Sequence, residues 1–219
     1  MQSQQLRAAR RRSDLKSVAA VVLAAGGSTR FGKPKQFVLL QGETFIKRIV
    51  ATAIEVGCAP VVVVAGEDSA RITSELTQFT VAIAMNPDWQ SGLGSSIVVG
   101  IRRAMNLAPD VDAVLLLTCD QPFVTAAVLA QLIQLRLTSG KPIVASAYAT
   151  TLGIPALFDR SCFPDLLGLK EDSGAKKIIL ARPQDVASFD FPAGEIDIDT
   201  AADYEKLDQP LAADGTGLG

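Results

Sequence analysis

The sequence predicts an α/β chain built on a doubly wound, mostly parallel sheet. Three observations carry that expectation. Short apolar runs without polar alternation recur, as in Pro60–Ala65 (Pro-Val-Val-Val-Val-Ala) and Ala113–Leu117 (Ala-Val-Leu-Leu-Leu), and strands covered on both faces read this way. Between them stand segments with apolar residues at helical spacing. The first run ends in paired glycines, Gly26 and Gly27, and in such sheets ligands bind beyond the carboxyl ends of the strands.

Taken in order, Val18–Leu23 is expected as the first buried strand. Glu43–Val56 carries Phe45, Ile46, Ile49, Val50, Ala53 and Ile54 on one helical face, with Gly57 as its stop. Pro60–Ala65 follows as a strand, then a helix near Asp68–Leu76, a strand near Val81–Met85 and a helix near Ser95–Met105. Asp112–Thr118 is the next buried strand. Thr125–Leu137 is a helix with Thr125 as its cap, and Pro142–Ser146 is a further strand. Beyond Tyr148 the alternation loosens. Gly153–Phe158, Phe163–Leu169 and Asp172–Leu180 read as a substrate-side subregion over residues 148–195. Glu195–Asp199 then returns as a short strand, and Thr200–Leu207 closes as a helix.

At 219 residues the chain is long enough for one domain with a full core, here residues 17–208. Residues 1–16, polar and basic with Arg10-Arg11-Arg12, read as a disordered arm lacking the apolar stretch of a signal peptide. Residues 209–219 read as a disordered tail. The apolar share is 48%, charged residues make up 20% and the net charge is −2. No long basic stripe points to nucleic acid, and no apolar run reaches membrane-span length. Cys58, Cys119 and Cys162 stand far apart without ligand spacing, so neither disulfides nor zinc are indicated and a cytoplasmic setting is expected. The chain has no histidine. Triads and metal sites that depend on histidine are excluded, which leaves carboxylates, cations and a hard metal.

The loop after the first strand brings Arg30, Lys33 and Lys35 beside the glycines, with no acidic residue between them. Successive backbone N–H groups in such a turn form a concavity for anions, and neighbouring cations suit a polyphosphate. Gly27-Ser-Thr-Arg-Phe-Gly32-Lys33 fits the P-loop pattern as far as its lysine, but the next residue is Pro34. Proline has neither the hydroxyl that ligates Mg²⁺ nor a backbone N–H. The P-loop reading fails there.

Leu23, Ala24, Ala25, Gly26, Ser28, Arg30, Gly32 and Lys35 stand at the positions of L-A-A-G-x-S-x-R-x-G-x-x-K, and the segment resembles the signature loop of the nucleotidyltransferases. Phe31 replaces the usual methionine. The resemblance implies a Rossmann-like nucleotidyltransferase fold of the glycosyltransferase-A-like kind. It also implies that the loop, with Gly27 and Lys33, wraps the triphosphate of an incoming nucleotide while Arg30 and Lys35 stabilise departing pyrophosphate.

Three other segments extend it. Thr118-Cys119-Asp120-Gln121-Pro122 ends a wholly apolar strand on a carboxylate. Aspartate is rarely buried unpaired, and Mg²⁺ is usually held by one or two carboxylates plus substrate phosphates. Asp-Gln-Pro resembles the cytidylyltransferase branch that serves molybdenum cofactor, in which this aspartate binds Mg²⁺. Asp197 and Asp199 alternate onto one strand face, and Asp197-Ile-Asp199-Thr resembles the family's second metal-binding element. Asp199 is the first choice as ligand and Asp197 the second. Gly92-Leu-Gly94-Ser95-Ser96 reads as a turn whose hydroxyls can cap a helix, and it also resembles the family element that reads the base.

Gly153-Ile-Pro155 and Asp172-Ser-Gly174-Ala-Lys176 resemble the family's acceptor-facing elements, with Ile154 where a histidine is frequent. The reaction implied is Mg²⁺-dependent transfer of CMP from CTP to molybdopterin or its molybdenum-bound form. Ala25, where guanylyltransferase relatives carry glycine, favours CTP. The molybdoenzyme receiving the cofactor is an implied partner. Guanylyl transfer, sugar-phosphate acceptors and a non-catalytic nucleotide-binding chaperone remain open alternatives.

Overall fold

The structure, a computed structural model, describes residues 17–26 and 34–195. Among the described residues nine strands run in chain order: β1 (Val18–Ala24), β2 (Leu39–Leu40), β3 (Glu43–Thr44), β4 (Val61–Ala65), β5 (Ala82–Met85), β6 (Ala113–Thr118), β7 (Ile143–Tyr148), β8 (Thr151–Asp159) and β9 (Val186–Asp190). The helices are α1 (Phe45–Glu55), α2 (Ser69–Glu75), α3 (Leu93–Leu107), α4 (Ala126–Ser139), α5 (Phe163–Leu167) and α6 (Lys176–Ala181). Seven strands form one sheet in the order β5-β4-β1-β6-β8-β7-β9. All its pairings are parallel except those of β8 with β6 and β7.

The apolar runs form central strands because both faces of the sheet are covered. Along β1, Val18, Ala20, Val22 and Ala24 enter one core with Ile46, Val50, Ile72 and Leu129. Ala19, Val21 and Leu23 enter the other with Ile97, Ile101, Phe163 and Ile179. Helices α1, α2 and α4 therefore cover one face, and α3, α5 and α6 the other, as double winding requires. Gly100 lets α3 lie close on the sheet, since a Cβ there would stand 2.3 Å from Val21 Cγ1.

Local signals act largely as expected. Thr125 caps α4 by accepting from the Val128 N–H at 3.4 Å, and Gly140 closes it in the left-handed region at φ 64°. Gly57, at φ 85°, follows α1, and the Cys58 N–H reaches back to the Ala53 carbonyl at 3.1 Å. Arg136 is buried and pairs with Asp159, tying α4 to β8.

Three expectations need correction, and one strand was not expected. The helix expected from Glu43 starts at Phe45, because Glu43–Thr44 pairs with Leu39–Leu40 across a turn at Gln41 (φ 53°) and Gly42 (φ 86°). The helix expected from Ser95 starts two residues earlier, at Leu93. Gly153–Phe158 lies within β8, in the sheet between β6 and β7, so this part of 148–195 is framework rather than insertion. Val186–Asp190, whose half-polar sequence carries little strand signal, forms the edge strand β9. The strand and helix expected after Glu195 lie outside the described residues; Pro192–Glu195 is a 3₁₀ turn.

Candidate active site

The carboxyl ends of β1 and β6 lie side by side, with Leu23 opposite Thr118. Neighbouring parallel strands thus deliver Gly26 and Asp120 to one edge. Lys35 comes from a 3₁₀ turn, Lys35–Phe37, which is anchored twice. Buried Gln36 donates from Nε2 to Asp68 Oδ2 at 3.1 Å, and the Arg71 guanidinium sits 3.8 Å from the Phe37 ring centroid. Lys35 Nζ lies 3.6 Å from Asp120 Oδ2; their side chains are 15% and 31% exposed. The pair faces open space rather than core, where a screened ion pair contributes little to stability. Its placement is better explained by chemistry.

Asp120 belongs to two adjoining clefts. The first, of about 230 Å³, is lined by Leu23, Ala24, Ala25, Gly26, Lys35, Gln36, Leu93, Ser96, Thr118, Cys119 and Asp120. The second, of about 280 Å³, shares Leu93, Thr118 and Asp120 and adds Gln121, Tyr148, Gly153, Ile154, Gly174 and Lys176 among others. One carboxylate therefore borders the space for two ligands.

The segment after β6 is fixed by Gln121. This buried side chain donates from Nε2 to the carbonyls of Ile154 and Gly194, each at 3.0 Å, while its Oε1 accepts from Thr118 Oγ1 at 3.4 Å. Tyr148 Oη also donates to the Ile154 carbonyl, at 3.1 Å. A single carbonyl on β8 thus ties the Asp120 segment to the second cleft. Cys119 Sγ meets the Leu23 carbonyl at 3.8 Å. Burial and the neighbouring Asp120 charge push its thiol pKa up, so it remains protonated and is no nucleophile.

The sequence-predicted residues divide clearly. Leu23, Ala24, Ala25, Gly26, Lys35, Ser96 and Asp120 converge on the first cleft; Gly153, Gly174 and Lys176 join Asp120 at the second. Gly94 does not line the first cleft: its N–H donates to the Glu171 carbonyl at 3.0 Å. That bond supplies the cap of α3, so Ser95 and Ser96 lie in its first turn and do not cap it. Gly92 (φ 132°) and Gly94 leave room for this contact, since a Cβ would stand 2.3 Å from the Glu171 oxygen at one and 2.1 Å from the Lys170 oxygen at the other.

Ser95 also stands back from the cleft, its hydroxyl 2.8 Å from the Gly92 carbonyl. Pro155 is buried and its carbonyl accepts from Ser146 Oγ at 2.7 Å, while Asp172 is exposed with Oδ1 accepting from Ser173. Neither lines the second cleft. Gly27, Ser28, Arg30, Lys33, Asp197 and Asp199 lie outside the described residues. Sequence reasoning missed Gln36, Asn86 and Tyr148 as organisers of the site. The signal was faint: each is a lone polar residue whose role is visible only once its partners are known.

Among the described residues no group of three or more acidic, thiol or imidazole side chains converges as a metal cluster. The donor set nevertheless suits a hard cation, because Asp120 is a half-exposed carboxylate on a ligand cleft and substrate phosphates supply further oxygens. No helix among the described residues is long and apolar enough to cross a membrane.

Residues 20–186 match the MobA-like NTP transferase domain. Nicotine blue oxidoreductase of Paenarthrobacter nicotinovorans is 28% identical over 209 residues, with 89% of this chain and 98% of that protein covered. The purine catabolism protein PucB of Bacillus subtilis (strain 168) is 27% identical over 202 residues, covering 88% and 96%. The crystal structure of Rv0371c from Mycobacterium tuberculosis H37Rv superposes with a TM-score of 0.73 at 26% identity, covering 89% of this chain and all of that one (100%). Its complex with manganese gives 0.70 at 24%, covering 89% and 99%. The chain therefore belongs to the MobA-like NTP transferase family, and its enzymatic class is nucleotidyltransferase.

Proposed function

We propose that the chain transfers CMP from CTP to a phosphorylated acceptor, molybdopterin or its molybdenum-bound form, and releases pyrophosphate. The observation that carries this reading is the position of Asp120 on the shared border of two clefts. A transfer enzyme needs its reacting phosphates to meet, and holding them aligned accounts for much of the rate. The acceptor phosphate is already anionic at neutral pH, so a chain without histidine lacks nothing for activating it.

In the step itself an acceptor phosphate oxygen bonds to the α-phosphorus as the bond to the bridging oxygen breaks. Negative charge moves onto pyrophosphate. Lys35, at the mouth of the first cleft, stabilises that charge, and Arg30 and Lys33 are assigned the same work. Asp120, with Asp199 or Asp197, would hold Mg²⁺. A divalent ion held there would supply positive charge against the phosphates; the manganese complex of Rv0371c supports a divalent cation in this family. Gly26, Gly27 and Ser28 are assigned to holding the triphosphate.

Ala25 supports the choice of base: it lines the first cleft at the position where guanylyltransferases have glycine. The acceptor cleft is lined by Tyr148, Leu152 and Ile154 with Lys176 at its edge, a mix suited to a flat ring bearing phosphate. Three buried free cysteines support a reducing, cytoplasmic setting, and the molybdoenzyme is the expected recipient of the product. The name of the Paenarthrobacter relative makes hydride or electron transfer the competing reading.

Calorimetry with Mg²⁺ tests the base: CTP is expected to bind about tenfold more tightly than GTP, roughly 1.4 kcal/mol. Equal affinity would remove the assignment to cytosine.

A further inference from the structure

Asn86 follows β5 and is 1% exposed. Its backbone N–H donates to the Ala65 carbonyl at 2.9 Å, which ties it to the carboxyl end of β4. Its Oδ1 accepts from the Asp88 N–H at 3.1 Å. That bond fixes the amide orientation, because a backbone N–H needs an oxygen opposite it. Nδ2 therefore faces α3, where it stands 2.9 Å from both Ser95 Oγ and Ser96 Oγ. An amide nitrogen only donates, so both hydroxyls accept, and each keeps one proton to give away.

The two protons have different destinations. That of Ser95 has backbone acceptors, the Gly92 carbonyl at 2.8 Å and the Asp88 carbonyl at 3.1 Å. Ser96 is 4% exposed and lines the first cleft, and no protein acceptor for its proton occurs among the described residues.

We infer that Asn86 is a positioning residue: Ser96 belongs to the segment whose resemblance already assigns it to the base, and Asn86 sets its polarity, so that Ser96 presents a donor rather than a lone pair to the base of the bound nucleotide. This rests on the reading of that cleft as the nucleotide site. The matching ligand atom is a carbonyl oxygen or unprotonated ring nitrogen, such as cytosine O2 or N3. A donor aimed in advance discriminates well, since a buried polar group left without its partner is penalised.

The test is a double-mutant cycle on the full chain with CTP and Mg²⁺, read by calorimetric Kd, kcat and thermal midpoint. Asn86→Asp keeps the shape and replaces the two donors by acceptors, so Ser96 turns its proton inward and shows the base a lone pair. Both Asn86→Asp and Ser96→Ala are expected to weaken CTP binding about tenfold with kcat within about twofold, and Asn86→Asp to add less than about twofold on the Ser96→Ala background. Ser95→Ala is expected to change Kd by less than about twofold. If Asn86→Asp does not fold, the contrast between Ser96→Ala and Ser95→Ala decides alone, and equal effects of the two overturn the inference.

Equal losses from Asn86→Asp in both backgrounds also overturn it, and so does a fall in kcat without a change in Kd. A wild-type chain that binds CTP while the cycle proves additive sinks the inference and leaves the nucleotide cleft standing. A wild-type chain that binds no nucleoside triphosphate removes both.

Discussion

In the proposed reaction the chemistry turns on Asp120 and Lys35, and they were legible in the sequence for different reasons. Asp120 stood out because a carboxylate at the end of an apolar strand has no packing role. Lys35 was marked by its place in the glycine loop. The structure adds that they lie 3.6 Å apart at the junction of two clefts. Asp120→Asn keeps the volume and removes the charge. It is expected to lower turnover at least about 100-fold, the scale of losing a pre-placed electrostatic contact, with an unchanged thermal midpoint because the pair is partly exposed. Near-normal turnover would show that the carboxylate is not part of the reaction. Gln121, by contrast, could not be recognised as a brace from sequence, because its partners at Ile154 and Gly194 are 33 and 73 residues away.

At the level of elements, the start of α3 borders both clefts. The Lys170–Ser173 backbone packs onto Gly92 and Gly94, and Gly174 contacts Leu93, which borders both clefts. The sequence showed two glycines there and suggested a flexible turn; the structure shows a tight backbone contact. Gly94→Ala would place a Cβ 2.1 Å from the Lys170 oxygen, forcing the 170–174 loop outward. The expected result is a KM for the acceptor raised more than that for CTP, with stability lowered by about 1–3 kcal/mol, read from steady-state kinetics and urea unfolding. Parallel central strands were legible because burial on both faces removes polar alternation. The edge strand β9 was not, since a half-exposed strand of Val-Ala-Ser-Phe-Asp has the composition of a loop.

Across the whole molecule, helices on both faces leave the sheet's carboxyl edge as the place where ligands enter, and the cysteines remain inside the protein. Cys58, Cys119 and Cys162 are all buried, and burial raises each thiol pKa, that of Cys58 from 9.0 to about 12. The unfolded thiol ionises above its ordinary pKa while the folded one stays protonated, so unfolding gains as alkali rises. Stability is accordingly retained below pH 9.0 and falls as the pH climbs towards about 12. Between about pH 8 and about pH 10.5 the wild-type chain is expected to lose about 1–2 kcal/mol more than Cys58→Ala, measured by urea unfolding. Parallel curves would contradict the buried, protonated state. The winding was readable because it depends on local periodicity; the adjacency of the two clefts depends on β8 returning antiparallel beside β6, which no local pattern announced. Nucleotidyl transfer across that junction is tested most directly by incubating the chain with CTP, Mg²⁺ and molybdopterin and quantifying both products. One pyrophosphate released for each cytidylylated acceptor formed is the expected result. Pyrophosphate with no nucleotide on the acceptor, or neither product despite tight CTP binding, would contradict it.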